Sequence, residues 1–195
     1  MSQIHATTLV QALFPQRAGS LVTGALLAIL GSVLIAVSAK IQVPGPVPMT
    51  LQSLVVLTIG AVFGARLGAA TVLVYLVEGA AGLPVLAGTP EKGLGLAYMM
   101  GPTGGYLVGF VAAAFTVGWL AERGWDRAHW KLFIAMAIGH AAIFACGYAW
   151  LALLVGPEKA WLLGVMPFAA SVVIKTALGA MLLPAVWRLV PRRPA

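Results

Sequence analysis

The chain has 195 residues, of which 61% are hydrophobic and 9% charged, with a formal net charge of +7 at neutral pH. Charged residues make up about 25% of an ordinary soluble domain, so this balance excludes a soluble globular protein and marks an integral membrane protein with lipid as its surroundings. Its cations gather at the ends of apolar stretches, where membrane topology explains them and nucleic acid does not, and the lone Cys146 excludes an intrachain disulfide.

Residues 1–17 are polar with scattered apolar positions (Ile4, Leu9, Val10, Leu13, Phe14) and predict a cytoplasmic segment with a short interfacial helix ending at Pro15. A helical crossing takes about 20 mostly apolar residues. On that measure six spans fall near 18–39, 50–64, 66–82, 103–122, 131–155 and 165–190. They form one all-α transmembrane domain over 18–190, followed by a basic tail at 191–195. The first span has an uncharged length of 22 residues and is followed by further spans, so it is expected to be retained rather than cleaved as a signal. Gly24, Ala28, Ser32 and Ala36 recur in it every four residues. That spacing puts them on one face, which permits close approach of another helix from this chain or from a partner.

Residues 41–52 carry Pro44, Pro46 and Pro48 and cannot be helical through Pro48, so a stiff extended loop is expected there. The second and third spans are short and joined by a tight turn at Gly64-Ala-Arg66; they read as tilted or as reaching only part of the bilayer depth. Glu78 lies inside the third. The next connection, 83–105, is rich in glycine yet apolar, which predicts a loop folded over protein or dipping towards a cavity.

The fourth span opens on Gly101-Pro-Thr-Gly-Gly-Tyr106. Pro102 starts a helix, Thr103 is placed to cap it, and the first-turn amides with Gly104 offer an acceptor site for a carboxylate or carbonyl oxygen, although glycines also serve helix packing. The fifth span holds His140, an interhelical hydrogen-bonding residue or a proton-responsive group, and Trp150 at the interface or a pocket rim. In the sixth, Lys175 lies nine residues after Met166 and thirteen before Arg188, about 13 Å from one end at ~1.5 Å per residue. An ammonium at such depth costs at least ~2.5 kcal/mol and is kept where it meets an anion, a water-filled cavity or a partner. Lys175 is therefore the first candidate site residue.

An even number of spans puts both termini on one side. That side collects Arg17, Arg66, Arg123, Arg127, Lys131, Arg188, Arg192 and Arg193, against Lys40, Lys92 and Lys159 on the other, so the termini are predicted to be cytoplasmic. Trp119, Trp125, Trp130 and Trp187 flank the inner face and Trp150 and Trp161 the outer one, as an aromatic belt does. The sequence has no metal-spaced Cys or His set, no Walker loop and no nucleophile paired with a base, so neither a metal, a cofactor nor ATP hydrolysis is expected of it.

Four motifs occur in the order and spacing of the BioY family: Val43-Pro-Gly-Pro-Val-Pro-Met-Thr-Leu-Gln52, Gly64-Ala-Arg-Leu-Gly68, Gly82-Leu-Pro-Val-Leu-Ala-Gly88 and Gly101-Pro-Thr-Gly-Gly-Tyr-Leu-Val-Gly-Phe110. With Gly139-His140, Gly147, Trp150-Leu151 and Lys175, the chain over roughly 20–190 resembles the substrate-binding S component of biotin transporters of the energy-coupling factor type. The resemblance implies a multi-pass protein of the bacterial plasma membrane that binds biotin near its extracellular side. It also implies a transmembrane T subunit and two ATP-binding subunits as partners, and turns the Gly24, Ala28, Ser32, Ala36 face into an expected T-subunit interface. A homo-oligomer is left open.

Members of the family commonly carry an Asp three residues before the final-span lysine, where this chain has Val172; Ser171 is the polar neighbour one turn from Lys175. Glu78 is the expected substitute acid. The implied biotin site thus comprises Lys175, Tyr106, Gln52, Thr50, Thr103, Gly104, Glu78 and Ser171, with Lys175 on either the carboxylate or the ureido oxygen and Thr50 and Gln52 on the ureido group or as helix caps. Tyr106 supplies a ring wall and a hydroxyl, or an interfacial anchor. The competing reading is a self-sufficient, proton-coupled transporter of biotin or a related carboxylate vitamin using Glu78, His140 and Lys175; an intramembrane enzyme on Ser171, His140 and Glu78 is remote.

Overall fold

The structure, a computed structural model, describes residues 8–13, 20–43 and 45–189. Most of the predicted segment 1–17, the tail 191–195, and with them Arg17, Pro44, Arg192 and Arg193, lie outside the described residues.

The short α1 (Leu9–Leu13) precedes α2 (Leu21–Lys40), which ends in a small antiparallel hairpin of β1 (Gln42–Val43) and β2 (Met49–Thr50). Gln42 pairs with Thr50 and Val43 with Met49, so the proline-rich loop is closed at its base by a ladder. Then come α3 (Gln52–Phe63), α4 (Ala65–Ala80), the loop helix α5 (Gly95–Met99), α6 (Gly104–Ala121), a 3-10 turn (Trp125–Arg127), α7 (His129–Val155), α8 (Pro157–Gly164), a second 3-10 turn (Met166–Phe168) and α9 (Ala169–Leu189). The all-α expectation holds. Among the described residues four segments are long and apolar enough to cross a membrane: Leu21–Lys40, Gly104–Ala121, His129–Val155 and Pro157–Leu189. The other two predicted spans are α3 and α4, of 12 and 16 residues; at ~1.5 Å per residue they rise about 18 and 24 Å, short of the ~30 Å hydrocarbon core.

The α3–α4 turn is made by Gly64 at φ 85°, a conformation open to glycine, and the Ala65 N–H is bound by the Glu122 carboxylate at 2.9 Å. That bond places the turn beside the end of α6, so Arg66, Arg123 and Arg127 share one end of the bundle. The other end carries the two long loops, which are strapped to the bundle and to each other. Lys40 Nζ donates to the carbonyls of Leu86 and Thr89 at 3.1 and 2.9 Å, and Lys92 Nζ donates to the Gly45 carbonyl at 2.5 Å.

α6 is the most buried of the long helices and packs on α3, α4 and α7. Its seam with α7 is backbone-close: a Cβ on Gly109 would lie 2.8 Å from Ile143 Cα, and one on Gly147 would lie 2.4 Å from the Tyr106 ring. In α9, Pro184 has no N–H to give, which frees the Ala180 carbonyl one turn back. His129 Nδ1 binds that carbonyl at 3.0 Å and holds α9 against the start of α7.

The small-residue face of α2 is turned inward. Ala28 and Ser32 are buried, α2 packs along α4, and Ser32 Oγ is 2.9 Å from Glu78 Oε1. Two of the four residues of the expected T-subunit face, Ala28 and Ser32, are thus taken up by packing within the chain, while Gly24 and Ala36 remain partly exposed. Outward, α2 presents Leu26, Ile29, Leu30, Val33, Leu34 and Val37, all more than half exposed.

Candidate functional site

Between the strapped loops and the helix bundle lies a cavity of about 550 Å³, counted out to its mouth. Val47 and Pro48 of the first loop and Ala87 and Tyr98 of the second form its cover; Thr50, Gln52 and Ser53 line it at the start of α3. The rest of the wall is Thr103, Tyr106, Leu107 and Phe110 from α6, Ile143 and Phe144 from α7, then Phe168 and Lys175. The apolar part is aromatic. Phe144 meets Tyr106 edge to face at 6.0 Å and Phe168 at 5.6 Å between ring centres, a rigid surface for an apolar ring.

The polar part gathers on one side. Gln52 Nε2 donates to the Tyr75 hydroxyl at 2.7 Å, Tyr75 donates to the Val85 carbonyl at 3.2 Å, and Thr50 Oγ1 lies 3.2 Å from Gln52 Oε1. Gln52 is 3% exposed, so its amide is fixed in orientation before any ligand arrives. Lys175 Nζ donates to the Thr50 carbonyl at 2.5 Å and reaches Ser53 Oγ at 3.4 Å. An ammonium has three N–H bonds, and these two acceptors leave one for the cavity. Among the described lining residues Lys175 is the only charged one, so the cavity is electropositive and complements an anionic group. On the cover, burial holds the Tyr98 phenol above its ordinary pKa, which keeps it a neutral hydrogen-bonding group beside Thr103.

Of the predicted site residues, the structure brings Lys175, Tyr106, Gln52, Thr50 and Thr103 to one wall. Three others are not on it. The Glu78 carboxylate lies 2.9 Å from Ser32 Oγ of α2 and is not among the residues lining the cavity. Val172 itself packs on the apolar core between Phe168 and Lys175, and Ser171 is off the cavity wall. Gly104 faces the Met99 carbonyl and the Trp150 indole, whose Nε1 donates to the Gly101 carbonyl at 2.9 Å.

At the first turn of α6, part of the anticipated acceptor site is already occupied within the chain. The Gly104, Tyr106 and Leu107 amides are already bound to the carbonyls of Gly101 and Thr103, and Thr103 makes no side-chain cap. The Tyr106 hydroxyl donates to the Gly164 carbonyl at 2.8 Å, leaving its ring as what the cavity sees. The Thr50 Oγ1 accepts the Gln52 N–H at 3.3 Å at the start of α3, and the residue also lines the cavity. Sequence reasoning missed Ser53 and the Phe144–Phe168 pair; the only available signal was their one-turn or two-turn spacing from residues already chosen.

Comparisons with known proteins agree on a family. The model of the BioY family matches residues 7–192. Biotin transporter BioY of Rhizobium etli is 42% identical over 159 residues, covering 77% of this chain and 83% of the relative. Biotin transporter BioY of Thermotoga maritima is 41% identical over 151 residues, covering 76% and 86%. In fold, the chain is similar to the crystal structure of the S-component for biotin from an ECF-type ABC transporter, with a TM-score of 0.74 at 23% identity over 88% of this chain and 96% of that one.

Proposed function

The chain belongs to the BioY family, and we therefore propose that it is the biotin-binding S component of a multi-pass biotin uptake system in the bacterial plasma membrane. The observation that carries this reading is the aromatic cavity with one ammonium on its wall. Biotin is an apolar bicycle with a ureido head and a carboxylate tail. Its ring suits the Tyr106, Phe144 and Phe168 surface, and its carboxylate supplies the anion that Lys175 lacks within the chain. The pre-set Gln52–Thr50 pair and the Tyr98–Thr103 hydroxyls are the neutral partners for the ureido group. Transport, with no bond made or broken, is the task this wall supports.

Energy for release to the cytoplasm comes, in this proposal, from a T subunit and two ATP-binding subunits. The reading of a self-sufficient proton-coupled transporter finds less support, because no hydrogen bond among the described residues joins the Ser32–Glu78 pair to Lys175 or His140. Calorimetry on the purified chain with biotin and with biotin amide tests the ligand: tight binding of biotin and weaker binding of the amide are expected, and no biotin binding overturns the proposal. Uptake into proteoliposomes by the chain with and without an ATP-hydrolysing module tests the energy source.

A further inference from the structure

We propose that Ser53 and His140 are positioning residues that aim the Lys175 ammonium at the ligand carboxylate, an inference that rests on the cavity being the biotin site. Ser53 on α3, His140 on α7 and Lys175 with Thr176 on α9 form one continuous polar chain across three helices. Lys175 Nζ reaches Ser53 Oγ at 3.4 Å, Ser53 Oγ lies 3.3 Å from His140 Nε2, and His140 Nδ1 lies 3.1 Å from both the Met136 carbonyl and Thr176 Oγ1.

The direction of this chain is fixed at its far end. The Met136 carbonyl only accepts and so calls for the Nδ1–H tautomer, in which the Thr176 hydroxyl oxygen shares that N–H and Nε2 is left as an acceptor. Ser53 must then donate its single O–H to Nε2, which turns its lone pairs towards Lys175. His140 is 2% exposed, so its ring is sealed from solvent outside the protein. Together with the Thr50 carbonyl, Ser53 gives the ammonium two neutral acceptors on its inner side. The ammonium is thereby held in place without being neutralised, and its remaining N–H and whole charge are left for the anion. With Val172 in the core one turn away, no carboxylate on α9 shares this task.

Binding of biotin and of biotin amide to the purified full chain, measured by calorimetry, tests the inference. Ser53→Ala is expected to weaken biotin about tenfold, the value of one hydrogen bond to a charged group, and to change biotin amide by less than about twofold. Ser53→Thr, which keeps the hydroxyl, restores biotin affinity. His140→Leu reproduces the Ser53→Ala loss, and the double variant is no weaker than either single one, because both act through the same contact. Where His140→Leu does not fold, the Ser53→Ala and Ser53→Thr pair against the two ligands decides alone. Wild-type affinity in Ser53→Ala, equal loss for both ligands, or additive losses overturn the inference. If the unaltered chain binds no biotin, the functional proposal fails and this one with it. If Lys175→Met abolishes the preference for biotin over the amide and Ser53→Ala leaves it intact, only the positioning role fails.

Discussion

Lys175 donates inward to Thr50 and Ser53, both neutral, so nothing on the described cavity wall cancels its charge. Removing one member of a desolvated ion pair costs about 2–5 kcal/mol. Lys175→Met is therefore expected to weaken biotin at least ~30-fold and biotin amide much less, as read by calorimetry. Glu78→Gln should leave biotin affinity within about twofold, because its carboxylate is held by Ser32 and an amide oxygen can accept the same hydrogen bond. A large loss in that variant would return Glu78 to the site. These two residues also show what sequence resolves. Lys175 was legible because a lone cation in a long apolar run demands a partner, and Glu78 raised the same demand, but its partner was a serine on another helix. Ser53 carried no such signal, since its role exists only where three helices bring their side chains together.

At the scale of elements, the site depends on how closely α6 and α7 approach. Tyr106 lies against Gly147, and a Cβ there would stand 2.4 Å from its ring, so Gly147→Ala must push the ring into the cavity or part the helices. Overpacking of this kind costs about 1–3 kcal/mol. A lower midpoint of thermal unfolding together with weaker biotin binding is expected; unchanged values for both would show that the seam has slack. The long helices were readable from uncharged length, and the shortness of α3 and α4 followed from the charge at Arg66 and the breaks beside it. The short α5 and α8 were not anticipated, because helices of 5 and 8 residues have no stability of their own and form where packing holds them. The small-residue stripe of α2 was visible, but a stripe does not say which helix it meets, and here that helix is α4.

Across the whole molecule, the cavity end and the basic end are stabilised by different means. The first is strapped by lysines to carbonyls. The second is pinned by Asp126, which is 0% exposed in the α6–α7 turn and accepts the Trp187 indole N–H at 2.5 Å, while its Oδ1 has no hydrogen-bond partner among the described residues. Burial pushes the Asp126 carboxyl up to about 6, against the opposing pull of Trp187 and Arg127. A folded-state pKa above the unfolded one means that the folded chain holds the extra proton. The contribution is full below pH ~4, declines as pH rises towards about 6, and is absent above it, for a total on the order of 2–3 kcal/mol. Asp126→Asn keeps a neutral acceptor for Trp187 and removes the titration. In thermal unfolding from pH 4.5 to 7.5, the unaltered chain should lose midpoint relative to Asp126→Asn as pH rises, with the variant the more stable at pH 7. Because Asp126 sits at the opposite end of the bundle from the loops, biotin affinity should stay level between the two proteins. A constant difference in midpoint across that range would mean that the carboxylate is already ionised at acid pH and that another group holds it.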